Sequence, residues 1–138
     1  MTARELFDAA RRRAVKITEI NNRIDSLCDL ANATCAQDGP KVHGGGITDP
    51  SDKLAALLDE NTKLQFQLFE LEAEQGTIEQ LIDCVRADIS DKYADALREY
   101  YICAWTWDDV ASVHEVTKRT VMTWRDVSLD WIDSTILK

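Results

Sequence analysis

Between residues 117 and 125 the chain reads Thr-Lys-Arg-Thr-Val-Met-Thr-Trp-Arg, a cluster of cations and hydroxyls at the start of a helical pattern. Val121, Trp124, Val127 or Ser128, Leu129 and Ile132 recur at steps of three and four, which predicts a helix over about 117–132 with these residues inward. Lys118, Arg119, Thr120, Met122, Thr123 and Arg125 then fall on its outer face, behind Thr117 as the cap. Lys and Arg can donate to guanine O6 and N7, and hydroxyls can reach phosphates or base edges. The first turns of a recognition helix are the part that enters a major groove. The candidate DNA-contacting set is therefore Thr117, Lys118, Arg119, Thr120, Met122, Thr123 and Arg125.

The residues upstream provide a frame for such a helix. Thr106 with Asp109 three positions on predicts a capped helix over 106–113, with Trp107, Val110 and Ala111 inward. Small Ala111 suits the close crossing of two helices. His114-Glu115-Val116 is the expected turn, with Glu115 where a glycine is usual. Before it, Tyr93, Ala94, Leu97, Tyr100 and Tyr101 form one face of a helix predicted from Lys92 to Cys103. Residues 92–138 thus read as a helix-turn-helix domain.

The first 91 residues read as a helical oligomerisation region. Leu6, Ala10, Ile17, Ile20, Ile24, Leu27, Ala31 and Thr34 form a stripe from about Ala3 to Ala36, broken only by Arg13. Gly39-Pro40 and Gly44-Gly45-Gly46 sustain neither helix nor strand, so 37–49 is a Gly-rich loop. It has no Lys-Ser/Thr after it, as a phosphate-cradling loop would. Asp49 is placed to cap and Pro50 to open the next helix. There Leu54, Leu57, Asn61, Leu64, Leu68, Leu71, Gln75, Ile78, Ile82, Val85 and Ile89 keep a heptad spacing. Leu57, Asn61, Leu64, Leu68, Leu71 and Ile78 are the expected oligomerisation residues, and Asn61 and Gln75 the buried amides that fix register. Gly76 lies just off this seam and is a candidate bend. Leu58, Phe66 and Phe69 also lie off it and call for cover, by a second copy or by the C-terminal domain. The expected architecture is all-α: a long antiparallel, coiled-coil-like hairpin followed by a C-terminal helix-turn-helix.

Charge and composition bound the function. The net charge is −9. Residues 1–23 carry +3, 49–91 carry −8 and 92–138 carry −2, so any DNA binding must come from a local patch, from dimerisation or from a partner. No apolar run is long enough for a membrane span, and no apolar signal core follows Arg11-Arg12-Arg13; a cytoplasmic protein is expected. Cys28, Cys35, Cys84 and Cys103 lack metal-ligand spacing and are expected to be reduced and half-buried, with no metal and no cofactor. His43 and His114 show no carboxylate or nucleophile at usable spacing, so no enzyme is expected.

Leu97 to Leu129 resembles region 4 of bacterial sigma-70-type factors. The pattern Thr/Ser-x-Glu-Glu-Ile-Ala stands here as Thr106-Trp107-Asp108-Asp109-Val110-Ala111. Val-Ser-x-x-Thr-Val stands as Val116-Thr117-Lys118-Arg119-Thr120-Val121, and the closing Ala-Leu as Ser128-Leu129. Most of the chain also resembles phage-encoded regulators related to the RinA and ArpU late-gene activators, with Gly44-Gly45-Gly46-Ile47-Thr48-Asp49-Pro50 at the place of their Gly-rich segment and Asp-Pro. The resemblance implies a phage or prophage transcription regulator acting in a bacterial host cell on double-stranded promoter DNA. By the sigma-like pattern, Lys118, Arg119 and Thr123 match base-contacting positions. The core-binding region of a full sigma factor is missing, and Glu115 replaces the glycine.

The favoured function is sequence-specific DNA binding with transcription control by a homodimer, with host RNA polymerase as a further partner. Two other classes compete. A DNA-packaging subunit like the phage small terminases would form a ring of many copies. A protein-interaction coiled coil with a degenerate helix-turn-helix would bind no DNA.

Overall fold

The computed structural model describes residues 2–36 and 50–137, and every regular element among them is helical. Helix α1 spans Ala3–Ala36, α2 Pro50–Asp88, α3 Asp91–Leu97, α4 Trp107–Val113 and α5 Lys118–Thr135. A π-helical turn, Arg98–Ile102, continues α3. The expected loop 37–49, with its Gly-rich run and the Asp49 cap, lies outside the described residues. The chain divides into two compact units: a C-terminal unit of Met1–Lys16 with Leu71–Lys138, and a mid-chain unit of Ile17–Glu70.

The core of the C-terminal unit draws on every one of its helices. Ala3, Phe7 and Ala10 of α1 pack with Ile78, Leu81, Ile82 and Val85 of α2, with Leu97 and Tyr101, and with Val110, Val121, Leu129 and Ile132. Phe7 meets Tyr101 edge-on at 5.1 Å, an arrangement aromatic pairs favour. Burial of Tyr101 pushes its phenol above the usual tyrosine range. Two bonds tie the start of α1 to α5: the Ala3 backbone N–H donates to Asp133 Oδ1 at 2.7 Å, and Arg4 pairs with Asp126 at 3.1 Å.

The buried stripe at the start of α1 differs from the one read in the sequence. Ala3, Phe7, Ala10 and Ala14 face inward, rather than the row through Leu6 and Arg13. Phe7 is recruited by Tyr101, a contact 94 positions away that local periodicity does not contain. Arg13 is not a defect in the row. Its Nε donates to Gln75 Oε1 at 3.0 Å, and Gln75 Nε2 donates to the Ala10 carbonyl at 2.9 Å. Arg13 and Gln75, one polar interruption from each long helix, thus satisfy one another, which offsets the cost of burying the Gln75 amide.

In the mid-chain unit Ile20, Ile24 and Leu27 are the buried residues of α1. Leu27, Cys28 and Ala31 line a small cleft with Leu57, Leu58 and Asn61 of α2. Arg23 forms a two-pronged pair with Glu60, at 3.0 and 3.3 Å. Helix α2 is continuous through Gly76.

Candidate nucleic-acid interface

The local backbone of residues 103–120 follows from three specific features. Thr106 Oγ1 accepts from the Asp109 N–H at 3.2 Å, capping α4 as its spacing predicts. The chain then leaves α4 through Glu115, whose φ of 56° is left-handed, the conformation that usually selects glycine at a helix C-terminus. The Val116 N–H closes the turn on the Ala111 carbonyl at 3.0 Å. Thr117 Oγ1 accepts from the Thr120 N–H at 3.2 Å and starts α5. One element differs from expectation: the predicted Lys92–Cys103 helix is α3 plus the π-helical turn, followed by a second left-handed residue, Ala104, at φ 61°. Arg11 holds this irregular stretch. It donates to the carbonyls of Tyr100 and Trp105 at 2.6 and 2.9 Å and lies 3.8 Å over the Tyr100 ring, which itself stacks on Trp107.

His114 finds a partner that sequence spacing did not show. Its Nε2 lies 3.1 Å from Glu99 Oε1, with both side chains largely buried, and its ring meets Trp124 edge-on. The pair joins the end of α4 to the π-helical turn and sets the turn that precedes α5. Its partner is 15 residues back, in a region expected to be a regular helix.

The seven candidate contact residues divide into two groups. Thr117, Lys118, Arg119 and Thr123 are exposed. Among the described residues neither Lys118 nor Arg119 forms an ion pair, whereas Arg4, Arg13, Arg86, Arg98 and Arg125 all engage acids within the unit. Thr120 and Met122 are half-buried, and Met122 packs against the core. Arg125 differs most from its neighbours. Its guanidinium bonds to Asp126 at 2.8 Å and lies 5.5 Å from the centre of the Trp107 ring, with the side chain only 15% exposed. Arg125 therefore braces α5 against α4 and is set back from the exposed tip. Two of the three acids farther along α5 are engaged, Asp126 with Arg4 and Arg125 and Asp133 with the Ala3 N–H, while Asp130 is exposed.

The expected oligomerisation residues are placed as follows. Ile78 is 1% exposed inside the core of its own C-terminal unit, packed with its own chain, and offers no surface to another copy. Leu57 and Asn61 line the intrachain cleft. Leu64, Leu68 and Leu71 are half-buried. Cys28, Cys84 and Cys103 are free and exposed rather than half-buried; the Cys35 side chain lies outside the described residues. Among the described residues no group of three His, Cys, Asp or Glu side chains is placed to hold a metal ion, and no helix is long and apolar enough to cross a membrane.

Comparison with known protein families, with curated proteins and with solved structures gave no match.

Proposed function

We propose that the chain is a sequence-specific DNA-binding transcriptional regulator of phage or prophage origin, and that α4 and α5 act as its helix-turn-helix. The observation that carries this reading is the state of the α5 tip. Lys118 and Arg119 project from the first turn of an 18-residue helix, exposed and without counter-charges among the described residues, beside exposed Thr117 and Thr123, whose hydroxyls bond to Thr120 and to the Arg119 carbonyl. That is the side-chain set and the helix end that read a major groove. The dipole of α5 adds partial positive charge at the same end.

Thr117, Lys118, Arg119 and Thr123 are the contacting residues in this proposal. Thr120 supports the cap through its own hydroxyl, 2.8 Å from that of Thr117. Arg125 and Met122 hold the helix from behind. The long helices α1 and α2 serve as an antiparallel hairpin. The meeting of Leu27 and Ala31 with Leu57 and Asn61 supports this, as does that of Arg23 with Glu60. A homodimer would present two tips to one duplex and offset the weak local charge. Host RNA polymerase is a further partner in this proposal.

Selecting bound fragments from phage and bacterial DNA tests the reading. Recovery of a defined set, with binding lost for Arg119→Ala at unchanged helicity, supports it. Base contacts of this kind are worth about 1–3 kcal/mol each. A chain that retains no fragment at low salt is not a DNA-binding regulator.

A further inference from the structure

Four side chains from four elements of the C-terminal unit form one column. Arg11 of α1 lies 3.8 Å over the Tyr100 ring of the π-helical turn. Tyr100 stacks on Trp107, the first residue of α4, at 3.8 Å with the ring planes 11° apart. Arg125 of α5 lies 5.5 Å from the centre of the Trp107 ring. A stacked aromatic pair thus carries a cation on each ring, an arrangement that the negative ring faces favour.

The column starts where the backbone is least regular. Between α3 and α4 the chain passes through the π-helical turn and the left-handed Ala104, at φ 61°, so no continuous helix fixes where α4 begins. Arg11 fixes it instead. Its Nη1 donates to the Tyr100 carbonyl before Ala104 and to the Trp105 carbonyl after it, and the same guanidinium covers the Tyr100 ring that stacks on Trp107. The other end of the column reaches α5 at two edges that matter. Arg125 lies one heptad along from Lys118, and Asp126 one heptad along from Arg119, so each shares a side of α5 with one of the exposed tip cations. Arg125 sits on the column, and Asp126 takes Arg4 of α1 at 3.1 Å. That ion pair is exposed and of little weight, which leaves the column as the firmer tie. Together they fix the rotation of α5 about its axis. The rotation decides whether Lys118 and Arg119 point at base edges or past them. Base readout needs this alignment, whereas attraction to phosphate does not.

We infer that Arg11 is a positioning residue for sequence-specific DNA recognition, acting on the α5 tip through Tyr100, Trp107 and Arg125 without touching DNA. The inference rests on the proposed function and adds to it a determinant of specificity from the opposite end of the chain.

The test compares Arg11 with its neighbour Arg12, which is exposed and lies outside the column. Affinities are measured for a duplex selected by the wild-type chain and for a scrambled duplex of the same length, at a temperature where circular dichroism shows each chain fully helical. Arg11→Ala is expected to lower the ratio of the two affinities by about tenfold, the scale of one lost base contact. Its affinity for the scrambled duplex should stay within about twofold, since the tip charges are untouched. Arg12→Ala removes the same charge and should leave the ratio unchanged. Tyr100→Leu should lower the ratio as Arg11→Ala does, and the two together no further, because both break one column. Arg11→Gln, which keeps a donor but no cation over the ring, carries the same expectation if Arg11→Ala loses helicity. A wild-type ratio in the Arg11 variant overturns the inference, as do equal losses for Arg11→Ala and Arg12→Ala or a parallel loss on both duplexes. Additive losses for Arg11→Ala and Tyr100→Leu overturn the column as the route. A wild-type chain that prefers no duplex overturns the regulator reading itself.

Discussion

The two units solve the same problem with different completeness. Each contains a buried amide at a heptad position of α2. In the C-terminal unit Gln75 is bonded on both sides, to Arg13 and to the Ala10 carbonyl. In the mid-chain unit Asn61 Oδ1 is buried with no hydrogen-bond partner among the described residues; the C-terminal unit has one such atom as well, Glu99 Oε2, on the carboxylate whose other oxygen meets His114. The phenylalanines divide the same way. Phe7 is fully buried against Tyr101, while Phe66 and Phe69 stand in solvent. The C-terminal unit packs one continuous core and, in the proposed function, holds the DNA-reading tip. The mid-chain unit leaves Leu58, Phe66 and Phe69 exposed.

The largest expected effect separates the two kinds of phenylalanine. Phe7→Ala should cost about 3–5 kcal/mol of unfolding free energy, the usual loss for a buried aromatic. Phe66→Ala should cost under about 0.5 kcal/mol when measured at a dilution that keeps chains single. Urea unfolding of both variants checks this, and equal losses would erase the distinction between the units.

The amides give the next effect, and its sign is opposite in the two places. Gln75→Leu should destabilise by about 1–3 kcal/mol, because it removes two hydrogen bonds of a buried amide and leaves Arg13 with Glu74 alone. Asn61→Leu should stabilise by about 1 kcal/mol, because it removes a buried oxygen with no donor. Two urea midpoints that moved in the same direction would show that the amides are equivalent.

Much of this was legible in the sequence, for local reasons. Capping by Thr106 and Thr117 depends on residues three positions away. The heptad of α2 depends on spacing alone. The left-handed Glu115 follows from its place at the end of a short helix. What could not be read is carried by distant contacts. Phe7 is inward because of Tyr101, Arg13 is useful because of Gln75, and His114 is paired because a π-helical turn brings Glu99 back to it. The same cause reassigns Arg125. Its position on the outer face was legible, but its placement over Trp107 depends on how α4 crosses α5. Ile78 fits the pattern of an interface residue and is used instead in its own core.

Two smaller changes test the backbone in each case. An added Cβ at Gly76 meets nothing within 4 Å, so Gly76→Ala should raise the stability of α2 by about 1 kcal/mol, the helix-propensity difference. Glu115→Gly should gain about 0.5–1 kcal/mol, since a non-glycine residue in the left-handed region costs about 1–2 kcal/mol and glycine gives part of that back as chain entropy. Thermal unfolding checks both, and a loss at position 115 would mean that the glutamate side chain supports the turn.

The claim that the α5 tip meets DNA is tested most directly by titrating a selected duplex at increasing salt and comparing the wild-type chain with Lys118→Ala/Arg119→Ala. Wild-type binding should weaken linearly in log–log form as counterions are released, with a slope of about 0.9 per phosphate contact. The double variant should bind at least tenfold more weakly while keeping its fold. Equal affinity and equal slope for the two proteins would place the DNA elsewhere or nowhere on this molecule.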